Sequence, residues 1–207
     1  MRIAVLGATG GIGGHVLDWA LDAGHTVHAL ARRPGALPPA AGLAVTAGDA
    51  LDPLAVADVI AEADAVVSAL GPRGARSPDL LAGAAANIVA GMEKSGARRL
   101  VCVSAAGAFI AGDPHMNRLV KIILPRVLSR QFADTRRMED VAAQSGLDWT
   151  MVRATRLTDG PATGRYRVAP DYPPRGGWKI SRADVARFIA GVVTEGGWVR
   201  SAPALAY

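Results

Sequence analysis

Three glycines near the start of the chain, Gly7, Gly10 and Gly13, fall in the stretch Gly7-Ala8-Thr9-Gly10-Gly11-Ile12-Gly13. A glycine at the first position permits a tight turn. One at the second lets a ligand approach the backbone, and one at the third lets a helix pack closely on a strand. The apolar residues Ile3 to Leu6 precede this turn. An amphipathic stretch from Gly11 to Ala23 follows it, with Ile12, Val16, Ala20 and Leu21 on one face. Between a strand and a helix N-terminus, the turn offers free N–H groups and the positive end of the helix dipole, the chemistry that holds a pyrophosphate. The spacing predicts a dinucleotide-binding turn.

The next apolar segment, Thr26 to Leu30, ends in Ala31-Arg32-Arg33-Pro34, with no acid before Asp49. A carboxylate there would accept from a ribose 2′-hydroxyl, whereas arginine favours a 2′-phosphate, so Arg32 and Arg33 predict NADPH (NADP) over NADH. Other reactive side chains are few. Ser104 closes the apolar segment Leu100 to Ser104, and His115 follows Asp113-Pro114 as the one histidine beyond residue 28. Ser104 is placed to bond a nicotinamide carboxamide or a substrate, or simply nearby backbone. His115 is a candidate general acid or an ordinary loop histidine. The tyrosines are Tyr166, Tyr172 and Tyr207, and none has a lysine four residues on, so the acid/base pair common in alcohol dehydrogenation is missing. No histidines, cysteines or acids have metal-ligand spacing, so no metal is expected.

Apolar segments alternating with amphipathic ones must position these groups. Strands are expected at Ile3–Leu6, Thr26–Leu30, Leu43–Thr46, Ala65–Ala69, Leu100–Ser104 and Trp149–Arg153. Helices are expected at Gly11–Ala23, from Asp52-Pro53 to about Ala61, at Pro78–Lys94, and from Ser181-Arg182-Ala183-Asp184 to Gly196-Gly197. The alternation predicts an α/β fold: a doubly wound, mostly parallel Rossmann sheet with helices on both faces and a small substrate-side extension. Residues 1-207 are expected to form one domain, with substrate-side segments at about 105-135 and 155-180. In the first of these, Gly107 to Pro114 is expected as a loop, followed by helical material from Met116 to Gln144 broken near Pro125. In the second, Thr158 to Lys179 is rich in proline and glycine, with one short strand expected around Tyr166.

A formal charge of +5 is spread among scattered arginines, lysines and acids, with no basic tail. That distribution argues against a nucleic-acid partner and fits anionic small ligands. No apolar run approaches the ~20 residues of a membrane helix, and no signal peptide is apparent, so a cytoplasmic protein with no membrane partner is expected. The lone Cys102, inside Leu100-Val101-Cys102-Val103, is expected to be a small buried hydrophobe.

Further motifs are Ala47-Gly48-Asp49, Val66-Val67-Ser68-Ala69-Leu70-Gly71, Val101-Cys102-Val103-Ser104-Ala105, Ser145-Gly146-Leu147-Asp148-Trp149-Thr150 and Ile180-Ser181-Arg182-Ala183-Asp184-Val185. With the glycine turn, they make the chain resemble the atypical short-chain dehydrogenase/reductases. Within these it is similar to the NAD(P)H-binding group that includes NmrA-like proteins and biliverdin-IXβ/flavin reductases. The resemblance implies that Thr9, Gly11 and Ile12 hold the pyrophosphate, Arg32 and Arg33 the 2′-phosphate, and Asp49 the adenine amino group. Ser68, Ala69, Leu70 and Gly71 would line the ribose and nicotinamide with Ser104. The resembling reductases carry a histidine just after the sixth strand, where this chain has Arg156. Arginine cannot donate a proton at neutral pH but attracts an anionic substrate. The resemblance implies an NADPH-dependent oxidoreductase that transfers hydride to a flavin, quinone or similar conjugated acceptor without a tyrosine–lysine pair. Two alternatives share the scaffold: a non-catalytic NADP-binding redox sensor of NmrA-like type, and a tailoring isomerase, epimerase or cyclase.

Overall fold

The computed structural model describes residues 1–71, 79–115, 117–127 and 129–207. Strand β1 (Arg2–Leu6) is buried from Ile3 to Leu6 because it lies between two parallel neighbours, β2 (Thr26–Ala31) and β4 (Ala65–Ser68). Continuous apolar runs, rather than alternation, are what a sheet covered on both faces requires. Outside β2 lies β3 (Leu43–Ala47); beyond β4 come β5 (Arg99–Ala105) and β6 (Asp148–Ala154). Two further strands complete this sheet, β8 (Arg167–Pro170) and β10 (Pro203–Ala206), of which only β10 is absent from the expected set. The order is β3-β2-β1-β4-β5-β6-β10-β8, parallel except for β10 against β8. Separately, β7 (Arg156–Thr158) pairs in parallel with β9 (Lys179–Ser181).

Helices α1 (Gly11–Asp22) and α6 (Arg182–Thr194) bury Ile12, Val16, Val185 and Ile189 against one face, over Ile3, Val5, Val27 and Val67. Helices α2 (Pro53–Ile60), α3 (Leu80–Ser95) and α5 (Ser129–Ala143) cover the other, over Ala4, Leu6, Val66 and Leu100. The chain moves outward from β1 through β2 to β3, then crosses to β4 and runs the opposite way. That reversal opens a crevice between β1 and β4 at the carboxyl ends of the strands, where such sheets bind ligands. No helix among the described residues is long and apolar enough to cross a membrane.

Several expectations shift. Pro78 and Met116, expected as helix starts, lie outside the described residues. The break expected near Pro125 falls later: α4 (Arg118–Val127) passes the proline before α5 begins at Ser129. The proline sits in the last turn of α4, with two helical residues beyond it. Most of Gly107 to Pro114, expected as loop, belongs to a 3-10 helix at Ala106–Gly112. The strand expected around Tyr166 begins at Arg167 and ends at Pro170, before Asp171 turns the backbone to φ 62°.

The cap read at Ser181 is present, its hydroxyl accepting from Asp184 N–H at 3.0 Å. Asp184 does more than begin a helix. Its fully buried carboxylate accepts from Thr163 N–H (2.9 Å) and hydroxyl (2.8 Å), Gly164 N–H (2.8 Å), the Ser181 hydroxyl (3.2 Å) and the Tyr207 hydroxyl (2.6 Å). One group thereby ties the loop after β7, the start of α6 and the segment after β10. Burial pushes this carboxyl up, but the bonds from Tyr207, Gly164 and Thr163 outweigh it and hold the pKa at about 2. Cys102 is buried as expected, and desolvation, reinforced by the charge of Glu139, pushes its thiol up to about 12.

A carboxyl held below its unfolded value, ~3.9, stabilises the fold fully above that value and loses its effect as pH falls through about 2. Asp184→Asn should therefore cost about 2 kcal/mol at pH 6, and the gap from the parent should close as pH drops from about 4 to 2. Urea unfolding of both proteins at pH 6 and pH 3 measures this; a constant gap would contradict it.

Candidate active site at the carboxyl ends of the strands

The turn after β1 is a contact between backbones. Gly7 has φ 89°, and a Cβ there would lie 2.7 Å from the Ala69 carbonyl oxygen. At Gly13 a Cβ would lie 2.1 Å from the Gly7 carbonyl oxygen, so only glycine lets α1 sit so close. Gly10 donates to the Gly7 carbonyl at 2.8 Å. Gly10 is the N-cap of α1 without a side-chain cap, and the first turn holds no acid. The first N–H groups and the dipole of α1 are thus left for an external anion, and the residues present fit a dinucleotide pyrophosphate. Thr9 is exposed beside them, whereas the Ile12 side chain is buried, so Ile12 faces the turn with its backbone alone.

Along the carboxyl edge the candidate residues follow the strand order. Asp49 comes after β3, Arg32 and Arg33 after β2, and the glycine turn after β1. Ser68 ends β4, Ser104 lies near the end of β5, and Arg156 follows β6. Arg32 and Arg33 are exposed, and their guanidinium groups have no ion-pair or hydrogen-bond partner among the described residues. One Asp49 oxygen accepts from Leu51 N–H at 3.0 Å, the local turn role. Ser68 is buried, Ala69 and Leu70 half-buried, and Gly71 exposed; Ala69 N–H donates to the Leu6 carbonyl at 2.8 Å.

Ser104 belongs to a network without a sequence motif. Its hydroxyl donates to Glu139 Oε1 at 2.5 Å. Arg153, its register neighbour on β6, donates to the same carboxylate through Nε (3.1 Å) and Nη2 (2.7 Å). Arg153 also donates to the Asp171 carbonyl at 2.8 Å, and its guanidinium lies 3.5 Å from the Phe109 ring centroid. All three polar residues are buried. A charged carboxylate already holding the Ser104 proton leaves the serine oxygen only its lone pairs. Ser104 can therefore accept from an N–H or O–H group but has no second proton to give.

Next to this network a cavity of about 410 Å³ opens at the ends of β5 and β6. Ala105, Ile110, Phe132, Ala154 and Pro173 give it apolar walls; Trp178, Asp113 and Arg156 stand at its polar or exposed margins. Gly107 admits the Phe132 ring, since a Cβ there would lie 2.7 Å from the ring edge. His115 is exposed outside the lining, its N–H donating to Asp113 Oδ1 at 2.8 Å. None of the tyrosines pairs with a lysine among the described residues; Tyr207 is bonded to Asp184 and Tyr166 stacks edge-on against Phe188. A larger cavity of about 550 Å³, lined by Arg2, His28, Asp58 and Glu62 among others, lies at the opposite, amino ends of β1 to β3. Glu139 and Arg153 escape sequence reasoning because only the folded chain brings them to Ser104, as it brings Phe132 and Trp178 to the cavity. A buried charge within the apolar run of β6 was the one local signal.

The sequence profile of a family described as NAD(P)H-binding matches residues 7–196. Among solved structures, an anaerobillin reductase from Escherichia coli O157:H7 is similar at 25% identity, with TM-score 0.83 over 100% of this chain and 97% of the other. A wide-type short-chain dehydrogenase/reductase from Veillonella parvula, solved with NADP, is 20% identical, with TM-score 0.84 over 100% and 94% of the two chains. A Rossmann-fold NAD(P)-binding family protein from Shigella flexneri is 24% identical, with TM-score 0.77 over 99% and 92%.

The buried network supplies its own test. Glu139→Gln leaves Arg153 charged and poorly paired and should destabilise by about 3–5 kcal/mol. Adding Arg153→Met to it should cost less than the sum of the single changes, because the pair acts as a unit. A double-mutant cycle of denaturant unfolding shows this; strict additivity would contradict it.

Proposed function

The chain belongs to the NAD(P)H-binding family, and on that premise we propose an NADPH-dependent reductase that passes hydride to a flavin, quinone or similar conjugated acceptor. One juxtaposition carries the reading: an uncapped helix N-terminus, two unpaired arginines and an apolar cavity share the carboxyl edge of one sheet. The neighbour solved with NADP supports the choice of dinucleotide, and the anaerobillin reductase supports reduction as the reaction class.

When bound, the dinucleotide supplies two electrons as hydride from its nicotinamide ring. The turn at Gly7 to Gly13 holds the pyrophosphate on α1, and Arg32 and Arg33 hold the 2′-phosphate. On this reading Ser68 to Gly71 and Ser104, next along the strand order, would hold the nicotinamide end. The Ser104 oxygen, its proton engaged by Glu139, would accept from a donor such as the carboxamide NH₂ and so orient the ring. The walls around Phe132 and Ile110 exclude water from the acceptor's ring, while exposed Arg156 draws an anionic group to the mouth. Reduction of a conjugated acceptor also needs one proton. No tyrosine–lysine pair provides it, and an acceptor with an exposed ring nitrogen or oxygen takes it from solvent.

NADPH consumption at 340 nm should be measurable with at least one of FMN, riboflavin and a simple quinone. Arg156→Ala should remove any advantage of FMN over riboflavin. Absence of turnover with all three would overturn the reading, and tight binding without turnover would favour a redox sensor. Arg32→Ala and Arg33→Ala should each weaken NADPH roughly tenfold or more while leaving NADH unchanged. Equal losses for both dinucleotides would remove the 2′-phosphate assignment.

A further inference from the structure

We propose that Arg182 is a pyrophosphate clamp, its guanidinium leaving Asp159 to close over the glycine turn when a dinucleotide binds. The inference rests on the dinucleotide reading and adds a residue to it.

Gly11 is the first indication. It opens α1 but is not one of the three spaced glycines, and its backbone conformation is one that any residue adopts. A glycine in a helix destabilises it relative to alanine, so an unneeded one is disfavoured. The reason for it stands opposite: a Cβ on Gly11 would lie 2.5 Å from Arg182 Cδ and 3.0 Å from its Nε. The missing side chain makes the groove through which the Arg182 stem crosses the start of α1.

Arg182 is delivered there by a rigid base. It is the first residue of α6, between the Ser181 cap and the buried Asp184 carboxylate, and α6 packs beside α1 in the same core. Its head is held lightly. One nitrogen donates to Asp159 Oδ1 at 2.6 Å, but the Asp159 side chain is 94% exposed. A pair with one partner so fully in solvent contributes little and competes with water and salt. A pyrophosphate at the uncapped N-terminus brings two negative charges within reach of a planar fork of five donors, a stronger partner than one solvated carboxylate. The first turn of α1 has no charged side chain of its own, and Arg182 supplies one from a neighbouring helix. Unlike Arg32 and Arg33, this arginine would contact the part that NADPH and NADH share.

That difference makes the test. Dissociation constants for NADPH, NADH and 2′-AMP, which lacks a pyrophosphate, are measured by calorimetry on the full chain. Arg182→Ala should weaken NADPH and NADH by the same factor, roughly 10- to 100-fold, and leave 2′-AMP unchanged. Asp159→Asn, which frees the guanidinium, should tighten both dinucleotides severalfold; it decides the matter should Arg182→Ala fail to fold. Unchanged binding of both dinucleotides by Arg182→Ala, a loss confined to NADPH, or Asp159→Asn leaving both affinities unchanged or weaker overturns the clamp. A parent protein that binds neither dinucleotide overturns the dinucleotide reading instead.

Discussion

The contact on which the molecule turns has no side chain in it. Helix α1 approaches β1 so closely that a Cβ on Gly13 would lie 2.1 Å from the Gly7 carbonyl oxygen. Because both positions are glycine, the helix N-terminus arrives at the end of the sheet instead of a few ångströms away. Its uncapped amides then face the crevice between β1 and β4. Helix α6 inherits its place from α1, beside which it packs, and the Asp184 carboxylate fixes its start to the loop at Thr163 and Gly164 and to Tyr207. The site is the place where these two helix starts meet.

The two halves of that site use charge in opposite ways. On the β2 and β1 side the Arg32 and Arg33 side chains are exposed and unpaired among the described residues, and half-buried Arg182 is held by one exposed carboxylate, which suits a ligand that enters and leaves. On the β5 and β6 side the charges are buried and satisfied: Glu139 and Arg153 lock each other and Ser104, and Phe109 covers the guanidinium. A pair of that kind contributes more to the definition of geometry than to net stability. It fixes which lone pairs Ser104 presents, beside a cavity whose walls are otherwise apolar.

What could be read from the sequence was local. Ile3 to Leu6, the glycine turn, the Asp52-Pro53 start of α2 and the Ser181 cap each lie within a few consecutive residues, and each is found. The parallel sheet followed from segment spacing. The strands β7, β9 and β10 escaped because three or four residues cannot display a period, and β10 is mostly proline and alanine. At the proposed site, the place of Arg32 and Arg33 on the carboxyl edge was legible because they follow β2 directly. Glu139 and Arg182 were not. Glu139 is 35 residues from Ser104, and Arg182 meets Gly11 only because two helices pack side by side; in the sequence it was part of a cap. His115 shows the converse, a reactive side chain at a plausible place that folding leaves outside the cavity lining.

Cys102 lies one register step from Val67 and Val152, with 1% of its surface exposed. A thiol whose pKa burial pushes up to about 12 is held as the protonated form at neutral pH, and the thiolate is the form that reacts with electrophiles. The folded chain is therefore close to silent toward maleimides and disulfide reagents. A cysteine introduced on its surface would be the one position to take a label, which makes the movement of a single side chain such as Arg182 open to site-specific spectroscopy on an otherwise unmodified background.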